Sequence, residues 1–302
     1  MDNMLKGIVP PMITPLLDND TLDREGTVKL VEHLLSAGVH GLFLLGTTGE
    51  GPSLSYKLRY EFVELVCKTN NGRVPVLVAV TDTSFNESVR LAEYAKECGA
   101  DAVVAAPPYY FPGNQKELVD YFKALADALP LPLYLYNMPS KVHVFLNVTS
   151  VLELSGHPDI IGVKDSSGNA GYLGDLLYYF KDTDFAVFIG PEEVTGQNVL
   201  MGASGGISGG ANVFPELFVE MYNASAAKDL EKLQDVQKRI SFLSRTLYTL
   251  LPTDASFLKA VKKACELKGI INDGRPAWPY SPCTESETAA IQEALSKLTD
   301  YR

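Results

Sequence analysis

Residues 74–106 read VPVLVAVTDTSFNESVRLAEYAKECGADAVVAA. Two apolar runs, Val74 to Val80 and Ala102 to Ala106, flank a polar turn and a helical stretch. Both runs are short and rich in valine, without the apolar/polar alternation of a half-solvated strand. That pattern belongs to strands covered on both faces, as in a parallel sheet. Ser84 and Glu87 have capping-box spacing, the helix runs to Cys98, and Gly99 follows as its stop. The stretch is one complete β-α-β crossover.

The same unit recurs on both sides. Upstream, strands are expected at Gly7 to Val9 and Gly41 to Leu45. Asp23 caps the helix between them, Val28, Val31 and Leu35 share its apolar face, and Gly38 ends it. Ser55 caps the next helix, with Leu58, Phe62 and Leu65 inward. Downstream, a helix carrying Leu118, Phe122, Leu125 and Leu129 leads to a strand at Leu133 to Tyr136. Further strands end at Lys164, span Phe185 to Ile189, and lie near Gly205 to Ile207. Eight strand–helix units over about 220 residues fit a (β/α)8 TIM barrel. A doubly wound open sheet is the alternative, but no GxGxxG follows the first strand. Past Val213 the pattern turns helical, at Pro215 to Ser225, Asp229 to Leu250, Ala255 to Leu267 and Ser286 to Leu298. Residues 1–225 are therefore read as the barrel carrying the active site, and 226–302 as a C-terminal helical appendage packed on it or on a partner chain.

Composition narrows the class. With 46% hydrophobic and 21% charged residues, the 302-residue chain has material for a large core. A net charge of −11 argues against a nucleic-acid partner. Cys67, Cys98, Cys265 and Cys283 are far apart and form no CxxC, which suits reduced thiols and a cytoplasmic protein. Neither a signal-peptide pattern nor an apolar run of membrane-spanning length is present, so no membrane role is expected. No His/Cys/carboxylate cluster has metal-ligand spacing, and neither a metal nor a dissociable cofactor is expected.

Active sites of such barrels sit at the C-terminal strand ends. There the sequence places Thr47 and Thr48, Tyr109 and Tyr110, Tyr136, Lys164, and Glu192 with Glu193. Lys164 closes the apolar run of 160–168, IIGVKDSSG. A lysine there is either the point where a strand meets water or a reactive amine, since apolar surroundings favour the neutral form that attacks carbonyls. Residues 46–51 could equally be a tight turn, Tyr109–Tyr110 packing aromatics, Glu192–Glu193 a helix start favoured by the dipole, and Gly202 to Gly210 a phosphate cradle or merely close backbone packing. One lysine, two threonines and a tyrosine converging on one barrel mouth favour catalysis.

These stretches resemble the N-acetylneuraminate lyase / dihydrodipicolinate synthase family of class I, pyruvate-dependent aldolases. The resemblance is carried by 46–50 (GTTGE), 108–110 (PYY), 136–140 (YNMPS), 162–165 (GVKD) and 205–208 (GGIS), in the family's order. It implies that Lys164 forms a Schiff base with pyruvate and that Tyr136 is the acid/base. It further implies that Thr47 links Tyr136 to Tyr110, commonly from a neighbouring subunit, and that Thr47 and Thr48 hold the pyruvyl carboxylate. Substrate contacts are expected from Lys141, His143, Gly190, Glu192, Glu193, Ile207 and Ser208, within a homo-oligomer, either dimer or tetramer. Synthases of the family usually carry arginine where this chain has Lys141, and glutamate where it has Asp165. Together with the acidic Glu192–Glu193 loop, these departures point to a 2-oxo-3-deoxy sugar acid or N-acetylneuraminate-like substrate. Dihydrodipicolinate synthase, joining pyruvate to aspartate semialdehyde, is the alternative; a non-catalytic barrel that binds a 2-oxo acid is a third reading.

Overall fold

The computed structural model describes residues 5–300. Eight parallel strands alternate with helices: β1 (Gly7–Ile8), α1 (Arg24–Ser36), β2 (Leu42–Leu44), α2 (Tyr56–Asn70), β3 (Val76–Ala79), α3 (Phe85–Cys98), β4 (Ala102–Ala105), α4 (Gln115–Ala128) and β5 (Leu133–Asn137). Then follow two short helices, α5 (Pro139–Val142) and α6 (Val148–Leu154), then β6 (Ile160–Asp165), α7 (Ala170–Phe180), β7 (Ala186–Ile189), α8 (Thr195–Leu200), β8 (Gly205–Gly206) and α9 (Pro215–Ala226). The C-terminal region adds α10 (Leu230–Leu243), a π-helical turn (Ser244–Tyr248), α11 (Ser256–Leu267) and α12 (Glu285–Asp300).

The strand order is β1-β8-β7-β6-β5-β4-β3-β2, every pair parallel. From β2 to β8 sequence neighbours are sheet neighbours, and the last strand pairs with the first. A doubly wound sheet would reverse direction at a switch point, so that alternative is excluded. The free edges of β1 and β2 meet through bonds just past β1: Phe43 N donates to Pro10 O at 3.0 Å and Met12 N to Phe43 O at 2.8 Å. The arrangement matches a TIM barrel.

Several local expectations shift. The buried face of α1 is Thr27, Leu30, Val31 and Leu34, while Val28 is exposed. The apolar stripe is rotated because the residues beneath it, not valine content, decide which face is covered. No capping box forms at α3: Ser84 makes no side-chain cap bond. The Asp82 carboxylate instead takes the Ser84 N–H, and Glu87 pairs with Arg90. Asp23 and Ser55 cap α1 and α2 as read from sequence. The helix expected from Asp229 to Leu250 stops at Leu243 and passes into the π turn.

The C-terminal region is bonded into the barrel by buried polar groups. Lys262 on α11, fully buried, pairs with Glu50 Oε2 at 2.6 Å and donates to Thr14 O at 2.8 Å. Glu50 Oε1 also accepts the Ala277 N–H. Asn212 accepts Ile13 N–H at 3.0 Å and donates to Pro11 O and Gly209 O, tying the segment after β8 to the one after β1. No described helix is long and apolar enough to cross a membrane.

Candidate active site

Tyr136 and Lys164 are register partners in the β5–β6 ladder, one strand apart on the same face. Successive strand residues point to opposite faces, so Asn137 and Asp165, also partners, face the other way. That explains why Asp165, although adjacent in sequence, is not the counter-ion of Lys164. Its carboxylate accepts Asn137 Nδ2 at 2.9 Å and Ser167 Oγ at 3.0 Å, while Asn137 Oδ1 accepts the Leu146 N–H. Burial raises the Asp165 pKa, with those bonds opposing the rise. This pair fixes the strand ends and the 138–146 loop.

Lys164 is 4% exposed. Its Nζ lies 4.2 Å from the Tyr136 ring centroid and 4.9 Å from that of Phe43, an amine held against aromatic faces. The Tyr136 hydroxyl is 3.2 Å from Thr47 Oγ1. Burial works to raise the Tyr136 pKa, but the Lys164 charge and hydrogen bonds from Thr47, Ser166 and Lys164 outweigh it, and the phenol titrates below its ordinary value. A buried amine beside a phenol of lowered pKa, itself joined to a hydroxyl relay, can transfer protons at an attached carbonyl or imine.

Thr47 and Thr48 lie in the loop after β2. Leu45 and Glu50, which bracket it, both take left-handed backbone (φ 59° and 57°), costing roughly 1–2 kcal/mol each for non-glycine residues. The Lys262–Glu50 pair and the Thr14 hydroxyl, which donates to Gly49 O at 2.7 Å, hold that conformation. Gly190 follows β7 and donates its N–H to Asp165 O at 2.7 Å. Ile207 and Ser208 follow β8; both are buried, and Ser208 Oγ has no hydrogen-bond partner.

The remaining expected residues stand apart. Tyr110, after β4, is 72% exposed and stacks edge-to-face on Phe111, itself 82% exposed. Lys141 on α5 and His143 at its left-handed C-cap are exposed. Glu192 is buried, with Oε1 accepting the Gly210 N–H at 2.7 Å and Oε2 the Tyr248 hydroxyl at 2.6 Å. Glu193 accepts the Ser244 hydroxyl. Both carboxylates of the acidic loop are thus engaged by protein donors. Ser166, Phe43, Lys262 and Tyr248 escaped sequence reasoning. Lys262 left a trace, a lysine among Ala260, Val261 and Ala264 on a helix with an apolar face. Among the described residues, no group of three or more His, Cys, Asp or Glu could hold a metal ion.

A family model, the dihydrodipicolinate synthetase family, matches residues 4–298. The chain belongs to the dihydrodipicolinate synthetase family. Its members are pyruvate-dependent aldolases, and this chain is accordingly a Schiff-base-forming lyase. It is 33% identical to the 4-hydroxy-tetrahydrodipicolinate synthase of Methanospirillum hungatei, over 97% of this chain and 99% of that one. It is 34% identical to the enzyme of the same name from Methanosphaerula palustris, at the same coverage. Among solved structures it superposes on dihydrodipicolinate synthase from Bacteroides thetaiotaomicron with TM-score 0.95 and 47% identity, covering 98% of this chain and 100% of that one. A prophage protein of this family from E. coli K12, solved in complex with pyruvate, gives TM-score 0.91 and 29% identity, over 98% and 99% of the two chains.

Proposed function

We propose that this family member is a 4-hydroxy-tetrahydrodipicolinate synthase, condensing pyruvate with aspartate semialdehyde, and that Lys164 carries the imine. The Lys164–Tyr136–Thr47 cluster is the observation that supports the chemistry. The Lys164 amine adds to C2 of pyruvate, and water leaves as the imine forms. Loss of a C3 proton gives the enamine, whose carbon attacks the aldehyde carbon, and the new alkoxide takes a proton. Tyr136, its pKa lowered, shuttles these protons, with Thr47 as relay. The substrate's own amine then attacks the imine carbon, closing the ring and freeing Lys164. Thr47 and Thr48 would hold the pyruvyl carboxylate through hydroxyl and backbone N–H groups, with Gly190, Ile207 and the unpartnered Ser208 hydroxyl lining the pocket.

Relatives that bear the synthase name and match this chain over nearly their whole length favour aspartate semialdehyde as the second substrate. The sugar-acid reading leaned on Glu192 and Glu193 as acceptors for sugar hydroxyls, but both Glu192 oxygens are engaged by Tyr248 and Gly210, and one Glu193 oxygen by Ser244. Lys141, in place of arginine, would meet the semialdehyde carboxylate without a bidentate fork, with His143 beside it. Tyr110, exposed with Phe111, would reach a neighbouring protomer's Thr47 in a homo-oligomer; so exposed an aromatic pair gains from being covered. Borohydride reduction with pyruvate, read by peptide mass, tests the imine: no adduct at Lys164 sinks the proposal. Turnover of pyruvate with aspartate semialdehyde tests the substrate. Cleavage of 2-oxo-3-deoxy sugar acids or N-acetylneuraminate without such turnover would restore the sugar-acid reading.

A further inference from the structure

Gly209 and Gly210 pass through a narrow slot. A methyl group on Gly209 would lie 2.5 Å from Phe257 Cζ and 3.3 Å from Thr48 Oγ1. One on Gly210 would lie 1.8 Å from the Tyr248 hydroxyl oxygen and 2.8 Å from Glu192 Oε2. Phe257 and Tyr248 pack edge-to-face with centroids 4.8 Å apart. The backbone after β8 is therefore pressed between the threonine loop after β2 and an aromatic pair from the C-terminal region. Glu192 locks this sandwich, holding the Gly210 N–H with one oxygen and the Tyr248 hydroxyl with the other. Tyr248 itself belongs to the π-helical turn, an irregularity that often marks functional positions.

We infer that Glu192 and Tyr248 are positioning residues for the pyruvate pocket, setting how closely the Ser208–Gly210 backbone approaches Thr48. Neither touches the reacting atoms. Their bond sets the depth of the aromatic wedge, the wedge sets the loop, and the loop and Thr48 together form one wall of the carboxylate site. This rests on the pyruvate site proposed above. It assigns Glu192 a role inside the protein, where the acidic-loop reading placed it on a sugar.

Tyr248→Phe keeps the ring and removes only the hydroxyl. Full-length wild type and variants are titrated with pyruvate under reductive trapping, and the adduct at Lys164 is measured by mass, alongside melting temperature. Loss of one hydrogen bond shifts an equilibrium by about three- to tenfold. The pyruvate concentration for half-maximal trapping should rise by that factor in Tyr248→Phe, with the trapped maximum retained. Glu192→Gln, which keeps one acceptor oxygen, should give a smaller rise in the same direction. Ser244→Ala, on the same π turn but bonded to Glu193, should leave the midpoint at the wild-type value. A lower melting temperature with unchanged midpoints in both Tyr248→Phe and Glu192→Gln overturns the inference while leaving Lys164 as the imine former. Absence of any wild-type adduct overturns the pyruvate site itself.

Discussion

Two halves of the barrel mouth are built on different terms. On one side Lys164, Tyr136, Thr47, Thr48 and Ser208 stand on strand ends or on loops anchored by buried groups, Glu50 on Lys262 and Glu192 on Tyr248. On the other, Tyr110, Phe111, Lys141 and His143 are exposed. The first half is held in place by bonds made within the chain. The second presents charged and aromatic side chains to solvent. Pre-organisation is thus concentrated where the covalent bond is proposed to form, and exposed surface is left where the second substrate is proposed to enter.

The contrast can be broken at graded depths. Lys164→Ala should abolish both adduct and turnover, since no other described amine is held against the Tyr136 ring; peptide mass after borohydride reduction checks it. Tyr136→Phe should retain slow imine formation while turnover falls about 10²- to 10⁴-fold, the range of general acid–base assistance, measured by steady-state kinetics. Lys262→Met leaves the Glu50 carboxylate buried and unpaired, and should cost about 3–5 kcal/mol in denaturant unfolding. On the exposed side, Lys141→Ala should raise KM for aspartate semialdehyde by about tenfold, the size of a charge-assisted hydrogen bond, and leave that for pyruvate unchanged. Equal effects on both substrates would dissolve the distinction between the halves.

A separate readout is a pH signature. Burial lifts the Glu192 carboxyl to about 7, the bonds from Tyr248 and Gly210 only partly opposing it. A group whose folded pKa lies above its unfolded value adds stability at low pH and loses it as pH rises through the folded value. The stability of wild type relative to Glu192→Gln should therefore decline between about pH 4.5 and 7 and level off above, as urea unfolding at several pH values would show.

Much that depended on local pattern could be read before folding. Valine-rich runs marked the strands, and the strand-end positions of Thr47, Tyr136 and Lys164 marked the candidate site. Most of what escaped depends on partners distant in sequence. Lys262 and Glu50 are 212 positions apart, Ile13 and Asn212 are 199 apart, and nothing local in either member announces the other. The acidic loop misled for the same reason. Glu192 and Glu193 look like free acceptors until Tyr248 and Ser244 fold back onto them. Ser84 and Glu87 failed as a capping box because Asp82, two residues upstream, had prior claim on the Ser84 N–H.

The pairing of β1 with β8 carries a temporal consequence. Every proposed catalytic side chain has been synthesised by residue 164, but the ring cannot be completed until Gly205 and Gly206 reach Gly7 and Ile8. The threonine loop then still waits for Lys262. Such long-range closure is slow. A nascent chain therefore holds Lys164, the proposed imine former, well before it has the residues that close the barrel around it.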